Sequence, residues 1–197
     1  MAVLSREEFD SIEFDAACTG DHEAAAERMI QLAATGIQTT SMPRAEAFVR
    51  AGEQWLLADN PAAAASGFRM ALADGGPVLV DPRVPLCRAL FALGRHREAY
   101  ALIAVLKGEG RDDPRACDMI MEVMVEQNDL PEALDWATAG VELILQGRSQ
   151  RSLPGDPVPP PGHPDSYAGL RELLRMRYRI RNDLRLPEDE YDRMLST

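Results

Sequence analysis

His22, His96, His163, Cys18, Cys87 and Cys117 carry the most reactive side chains of this chain, and their spacing decides whether they can act together. The histidines are scattered, in neither a metal-ligand spacing nor that of a nucleophile and its base. His22 and His96 fall in short turn-like segments and His163 in a proline-rich stretch, so all three read as surface residues. The cysteines are odd in number and far apart, with no C-x-x-C pair, so neither a disulfide framework nor a zinc site follows. They read as small buried apolar groups within helices. "ADGGPVLVDP" holds Gly75 and Gly76 but lacks the Lys and Ser or Thr of a phosphate-binding loop. Asp112 and Asp113 precede Pro114, the pattern of a helix start. The residue chemistry therefore predicts a binding protein rather than an enzyme, with no metal and no cofactor.

The elements that would position such a binding surface announce themselves by repetition. "GDHEAAAERM" from Gly20, "DNPAAAASGF" from Asp59, "GRHREAYALI" from Gly94 and "NDLPEALDWA" from Asn128 align on the first residue and on an alanine five positions later. Those anchors, Ala25, Ala64, Ala99 and Ala133, stand 39, 35 and 34 residues apart. Apolar residues between them recur at helical spacing, as in Phe48, Trp55 and Leu56 or Ile120, Val123 and Met124. Each copy reads as two helices: Gly, Asp or Asn ends the first, and the alanine lets the second approach closely. Ser5 with Glu8, Asn60-Pro61, Asp81-Pro82 and Asp113-Pro114 supply helix starts. One hairpin cannot bury its apolar face alone, so the copies are expected to stack. The predicted class is all-α, a solenoid of four hairpins over residues 1–146, then a proline-rich linker over 147–165 and C-terminal helices over 166–197.

These periods and residue types resemble the tetratricopeptide repeat over residues 5–146. The second copy carries the family's pattern best, with Phe48, Gly52, Trp55, Asp59, Ala64, Phe68 and Ala71; the third gives Leu86, Cys87, Leu90, Gly94, Ala99 and Ile103. The fourth gives Ile120, Met121, Met124, Asn128, Ala133 and Ala137, and the first Phe9, Ala16, Gly20, Ala25, Met29 and Leu32. The resemblance implies a scaffold that binds protein or peptide on the inner faces of its first helices. The C-terminal part also resembles the end of bacterial tetratricopeptide proteins that carry a cysteine-rich SEC-C motif. No such motif is present here, so its metal binding is not carried over.

Counted from each anchor, the inner face comprises Glu7, Asp10 and Phe14; Glu46, Val49, Glu53 and Leu56; Asp81, Val84, Arg88 and Phe91; and Arg115, Asp118, Glu122, Val125 and Glu126. Carboxylates dominate it, with apolar residues between, which suits a basic, partly apolar peptide or helix. Family members that read chaperone C-terminal carboxylates use Lys, Arg and Asn there, and this chain departs from that pattern. The whole chain is acidic as well, with 32 Asp and Glu against 21 Lys and Arg and a net charge of −11. Lys107 is its single lysine, and the arginine excess reads as codon bias of a GC-rich genome.

Between Arg171 and Arg185 the sign inverts. Arg171, Arg175 and Arg179 share a helix face, while Leu170, Leu173, Leu174, Met176 and Ile180 occupy the other. A helix that docks through those leucines, with Arg171, Arg175 or Arg179 facing carboxylates, is one expectation. The alternative function is a nucleic-acid-associated regulator that uses these arginines, with Tyr167 and Tyr178 to stack on bases. The net negative charge opposes it. "MAVLSREEFD" lacks the basic start and apolar core of a signal peptide, and no apolar run suits a membrane span, so a cytoplasmic protein is expected.

Overall fold

A computed structural model of the protein describes residues 4–37, 39, 41–151 and 167–195. Every extended element among them is a helix: α1 Arg6–Thr19, α2 His22–Thr35, α3 Arg44–Leu57, α4 Pro61–Asp74, α5 Arg83–Ala92, α6 His96–Glu109, α7 Pro114–Glu126, α8 Leu130–Arg151, α9 Tyr167–Asp183 and α10 Glu190–Arg193. None is long and apolar enough to cross a membrane.

Side-chain oxygens satisfy backbone donors at the helix starts. Ser5 accepts from the N–H of Glu8 (3.2 Å), Asn60 from Ala63 (3.1 Å) and Asp113 from Arg115 (2.9 Å). Asp81 accepts from Arg83 (2.9 Å) at the start of α5. The reciprocal capping contact expected of Ser5 and Glu8 is found at α10 instead, between Asp189 and Asp192.

The first helices stop by one device. Gly20, Asp59, Gly94 and Asn128 have φ of 78°, 54°, 70° and 58°, the left-handed region in which Gly costs least and Asp and Asn are tolerated. After three of these turns a backbone N–H reaches back five residues: Asn60 to Trp55 (2.9 Å), Arg95 to Leu90 (2.8 Å) and Asp129 to Met124 (2.9 Å). The four anchor alanines are buried. Between α3 and α4 the backbones nearly touch: a Cβ on Gly67 would lie 3.3 Å from the Gly52 Cα, and one on Gly52 would lie 2.5 Å from the Phe68 ring.

The chain forms two compact units, Met1–Ala104 and Val105–Thr197, whose boundary falls within α6. In the first, α1 to α5 pack in sequence, each on the next. Phe91 of α5 meets the rings of His96 and Tyr100 edge-on (centroids 5.5 and 5.2 Å). In the second, α8 packs on α7 and α9 packs on α8. Leu170, Leu173, Leu174 and Ile180 are the buried apolar residues of α9. A Cβ on Gly140 of α8 would lie 2.7 Å from Leu173 and 3.1 Å from Cys117, so three helices converge there. Helix α8 runs to Arg151, into the stretch that the sequence reads as linker, and 152–166 lie outside the described residues.

The ion pairs of α9 differ from those expected. Arg171, Arg175 and Arg179 are exposed, and Arg175 lies 3.4 Å from Glu172 of its own helix. The arginines shown to face carboxylates from beyond α9 are Arg177 and Arg181. Arg177 is 3% exposed. Its guanidinium donates to Thr138 Oγ1 (3.0 Å), Asp189 Oδ1 (3.0 Å) and Asp192 Oδ1 (3.1 Å), and it stacks 4.7 Å over Tyr191. Arg181 donates to Asp192 Oδ2 (2.9 Å). The hydrogen bond from Arg177 is the main force holding Asp189 down to about 2.

Arg185 explains this arrangement. Its φ of 56° and the bond from the Leu186 N–H to the Arg181 carbonyl (3.0 Å) repeat the turns at Asp59, Gly94 and Asn128. Helices α9 and α10 therefore form a fifth turn of the same kind, with a second helix of four residues. Eight residues before the turn the earlier copies have Ile12, Ala51, Leu86 and Ile120; α9 has Arg177. Four before, they have Ala16, Trp55, Leu90 and Met124; α9 has Arg181. Two core positions have become cations, and Asp189 and Asp192 meet them.

Replacing Ala99 by Phe overpacks the hairpin and should lower stability by about 1–3 kcal/mol in thermal unfolding, whereas Ala101→Glu at the exposed neighbour should be nearly neutral. Arg177→Met should cost about 3 kcal/mol, since Arg181 still partners Asp192, and Arg177→Met with Asp192→Leu should recover part of it. Amide exchange in α10 would report release of that turn.

Candidate functional site

The geometry gives each unit one charged surface. In the first, α1 brings two carboxylates onto one guanidinium of α3, with two more carboxylates, Glu46 and Glu53, on α3 itself. Arg50 donates to Asp10 Oδ1 (2.6 Å) and, through Nε, to Glu13 Oε1 (2.7 Å), while also pairing with Glu13 Oε2. Glu53 follows Arg50 by three residues and feels the charges of Glu46 and Glu13. Loss of surrounding water, then those two carboxylates, push Glu53 up to about 7 against the opposing pull of Arg50. Its edge remains in solvent, which screens these forces.

Not every residue of the expected inner face is accessible in the chain itself. Glu46 is 7% exposed and accepts from the Leu79 N–H (2.9 Å), which ties the 75–82 connection to α3. Val49, Val84 and Phe91 are buried. Asp81 is occupied with Arg83, whose bidentate contact lowers its pKa against desolvation. Glu7, Asp10, Phe14 and Glu53 are exposed, and Leu56 and Arg88 are half-buried. Phe14, 69% exposed, and Leu57, 62% exposed, put apolar area on these helices; Leu57 escaped the sequence reading because it lies one residue beyond the pattern. Glu13 escaped it too, seven residues before Gly20, although with Asp10 it joins α1 to α3 through Arg50.

In the second unit Arg115, Asp118, Glu122 and Glu126 of α7 are exposed and Val125 is half-buried. Desolvation, then Glu122 and Glu172, push Asp118 up to about 6. Glu172 belongs to α9, so the charge of α9 reaches Asp118 on α7. Arg171, Arg175, Arg179 and Tyr178 line the exposed side of α9.

The reactive residues are placed largely as their spacing implies. Cys87 and Cys117 are buried and burial pushes both thiols up to about 12, so they are unreactive packing groups. Cys18 is exposed, contrary to the expectation of burial, because it lies on the solvent side of α1. His22 is more than a surface turn: its Nδ1 lies 2.8 Å from Oε1 of the buried Gln54 and joins α2 to α3. His96 is exposed, and His163 lies outside the described residues. Among the described residues no group of three or more His, Cys, Asp or Glu is placed to hold a metal ion. No family model, curated protein or solved structure matches this chain, so its surfaces are read from their own chemistry.

The raised carboxylates set a pH dependence. Folded Glu53 holds its proton to about pH 7, against 4.5 for the ordinary group, so stability should fall as pH rises through that window. Asp118 acts alike between 3.8 and about 6. Glu53→Gln should therefore gain thermal stability over the parent at pH 8 and little at pH 4, and Asp118→Asn should show the same sign with its window at lower pH.

Proposed function

We propose that the protein is a non-catalytic scaffold of the tetratricopeptide kind, a solenoid that binds a basic, partly apolar peptide or helix on its first-helix faces. The observation that carries this reading is the α1–α3 cluster: Asp10 and Glu13 share the Arg50 guanidinium, and Glu53, three residues on, lies within the field of Glu13 and Glu46, so the surface keeps an excess of negative charge. Loss of water around Glu53, then the charges of Glu46 and Glu13, make it resist ionisation, and a cationic partner would relieve the repulsion. Exposed Phe14 and Leu57 add apolar area to the same helices, and a lysine-bearing amphipathic helix would satisfy both. In the second unit Asp118, Glu122 and Glu126 add exposed carboxylates on α7. Unpaired, buried Cys87 and Cys117 fit a reducing compartment such as the cytoplasm.

The test is titration of the full chain with a synthetic amphipathic helix carrying lysines on one face and leucines on the other. Binding should weaken as salt rises, because the carboxylates are partly exposed. Glu53→Arg and Glu122→Arg should each lower affinity on the order of tenfold, equivalent to about 1.4 kcal/mol. A helix that binds both variants as tightly as the parent would move the interface off these faces.

A further inference from the structure

In the first unit a side chain of α3 reaches α1, and its bonds fix how the two helices are aligned. Arg50 lies nine residues before the turn at Asp59, and its partners Asp10 and Glu13 lie ten and seven before the turn at Gly20. The hydrogen bonds are 2.6 Å to Asp10 and 2.7 Å to Glu13, and the Phe9 ring lies 5.7 Å from the same guanidinium. Equivalent positions of α1 and α3 are therefore side by side, with Phe14 beside Glu53, each six residues before its turn. Helical spacing then defines two rows: Asp10 and Phe14 share a face of α1, while Arg50, Glu53 and Leu57 share a face of α3. Phe14 and Leu57 are the two most exposed large apolar side chains among the described residues. Glu53 is exposed beside them and, unlike Asp10 and Glu13, is engaged by no hydrogen bond or ion pair among the described residues.

The structure assigns to this α1–α3 face a docking site for a helix that carries a lysine within its apolar stripe, with the ammonium on Glu53 and the apolar neighbours on Phe14 and Leu57. This rests on the first-helix reading proposed above and names the side-chain pattern of the partner for the first unit. Leu57 stands one turn from Glu53, about 6 Å along α3, the same step that separates residues three or four apart on a partner helix. A leucine, a lysine and a leucine at steps of four and three can therefore meet Phe14, Glu53 and Leu57 together. Lysine suits the middle place because its stem packs on apolar surface while its head reaches a carboxylate. Charge selects the sign: Arg50 already holds Asp10 and Glu13, so Glu53 is the carboxylate left to bind, and an acidic residue in the middle place would meet it as repulsion. The apolar neighbours exclude water from the new pair and strengthen it relative to one formed in open solvent. A helix with lysines and leucines on opposite faces can offer this surface one kind of side chain at a time.

Two synthetic helices of equal length and composition serve as probes for the full-length protein. One carries leucine, lysine and leucine on a single stripe at steps of four and three; in the other the lysines lie opposite the leucines. Fluorescence anisotropy should show the first binding at least tenfold more tightly. Phe14→Ala with Leu57→Ala, both exposed and so compatible with folding, should abolish that preference, and circular dichroism would confirm an intact fold. Equal binding of the two helices to the parent, or a preference that survives in the double variant, would overturn the assignment while leaving the acidic-face reading in place, provided that Glu53→Arg still weakens both. Failure of both helices to bind would overturn both readings. Concentration-dependent dimerisation of the protein alone, lost in the double variant, would also overturn the assignment and give the face to a second copy.

Discussion

Everything in this molecule is indexed to one left-handed residue per hairpin. A helix that must reverse within two residues needs one position with positive φ, at a cost of about 1–2 kcal/mol when that residue has a side chain. Gly20 and Gly94 avoid that cost, Asp59 and Asn128 are short polar residues that reduce it, and Arg185 bears it in full. After Asp59, Gly94, Asn128 and Arg185 the bond from the following N–H to a carbonyl five residues back then fixes the angle at which the second helix leaves. With that angle set, the residue five past the turn is pressed against the first helix, which is why it is alanine in four copies. A turn displaced by one residue would rotate each inward position toward solvent and each outward charge toward the core.

The same index explains how α9 is held. Four apolar side chains, Leu170, Leu173, Leu174 and Ile180, go into the second unit, and burial of each contributes about 1.5–3 kcal/mol. Exposed pairs such as Arg175 with Glu172 add about 0–1 kcal/mol at most. Apolar burial therefore docks the helix. The buried pairs of Arg177 and Arg181 serve another purpose: a four-residue helix offers too little apolar area to cover two core positions, and cations there can be neutralised by Asp189 and Asp192 from a short segment. Thr138 and Tyr191 complete the shell that makes such burial tolerable.

Much of this was legible in the sequence because turn and anchor residues are chemically distinctive. The helix pairs, the caps at Ser5, Asn60 and Asp113, and docking of α9 through its leucines all follow from residue type and spacing. The fifth turn was not legible, since Arg185 belongs to no left-handed class and Glu190 stands where alanine marks the other copies. Arg177 and Arg171 look alike in a string of arginines; only the turn position separates a buried one from an exposed one. The expected inner face applied one offset from the anchor alanine to every copy, and depth along a helix varies between them. Glu46 sits low enough to hold the Leu79 amide, while Glu53, seven residues on, remains at the surface.

Carboxylates that resist ionisation are a standing cost to a fold, and here they recur in both units, at Glu53 and at Asp118. Each has a neighbouring carboxylate on its own helix, Glu46 or Glu122, and another from a different helix, Glu13 or Glu172. Packing alone does not require that convergence, because glutamine would fill the same volume without the repulsion. Under the proposed function part of the cost is recovered on binding: a lysine placed beside Glu53 lowers its pKa and favours its ionised form. Association at the first unit would then be coupled to proton release from Glu53 near neutral pH, and the desolvation and repulsion that hold its pKa up become part of the affinity for a cationic partner.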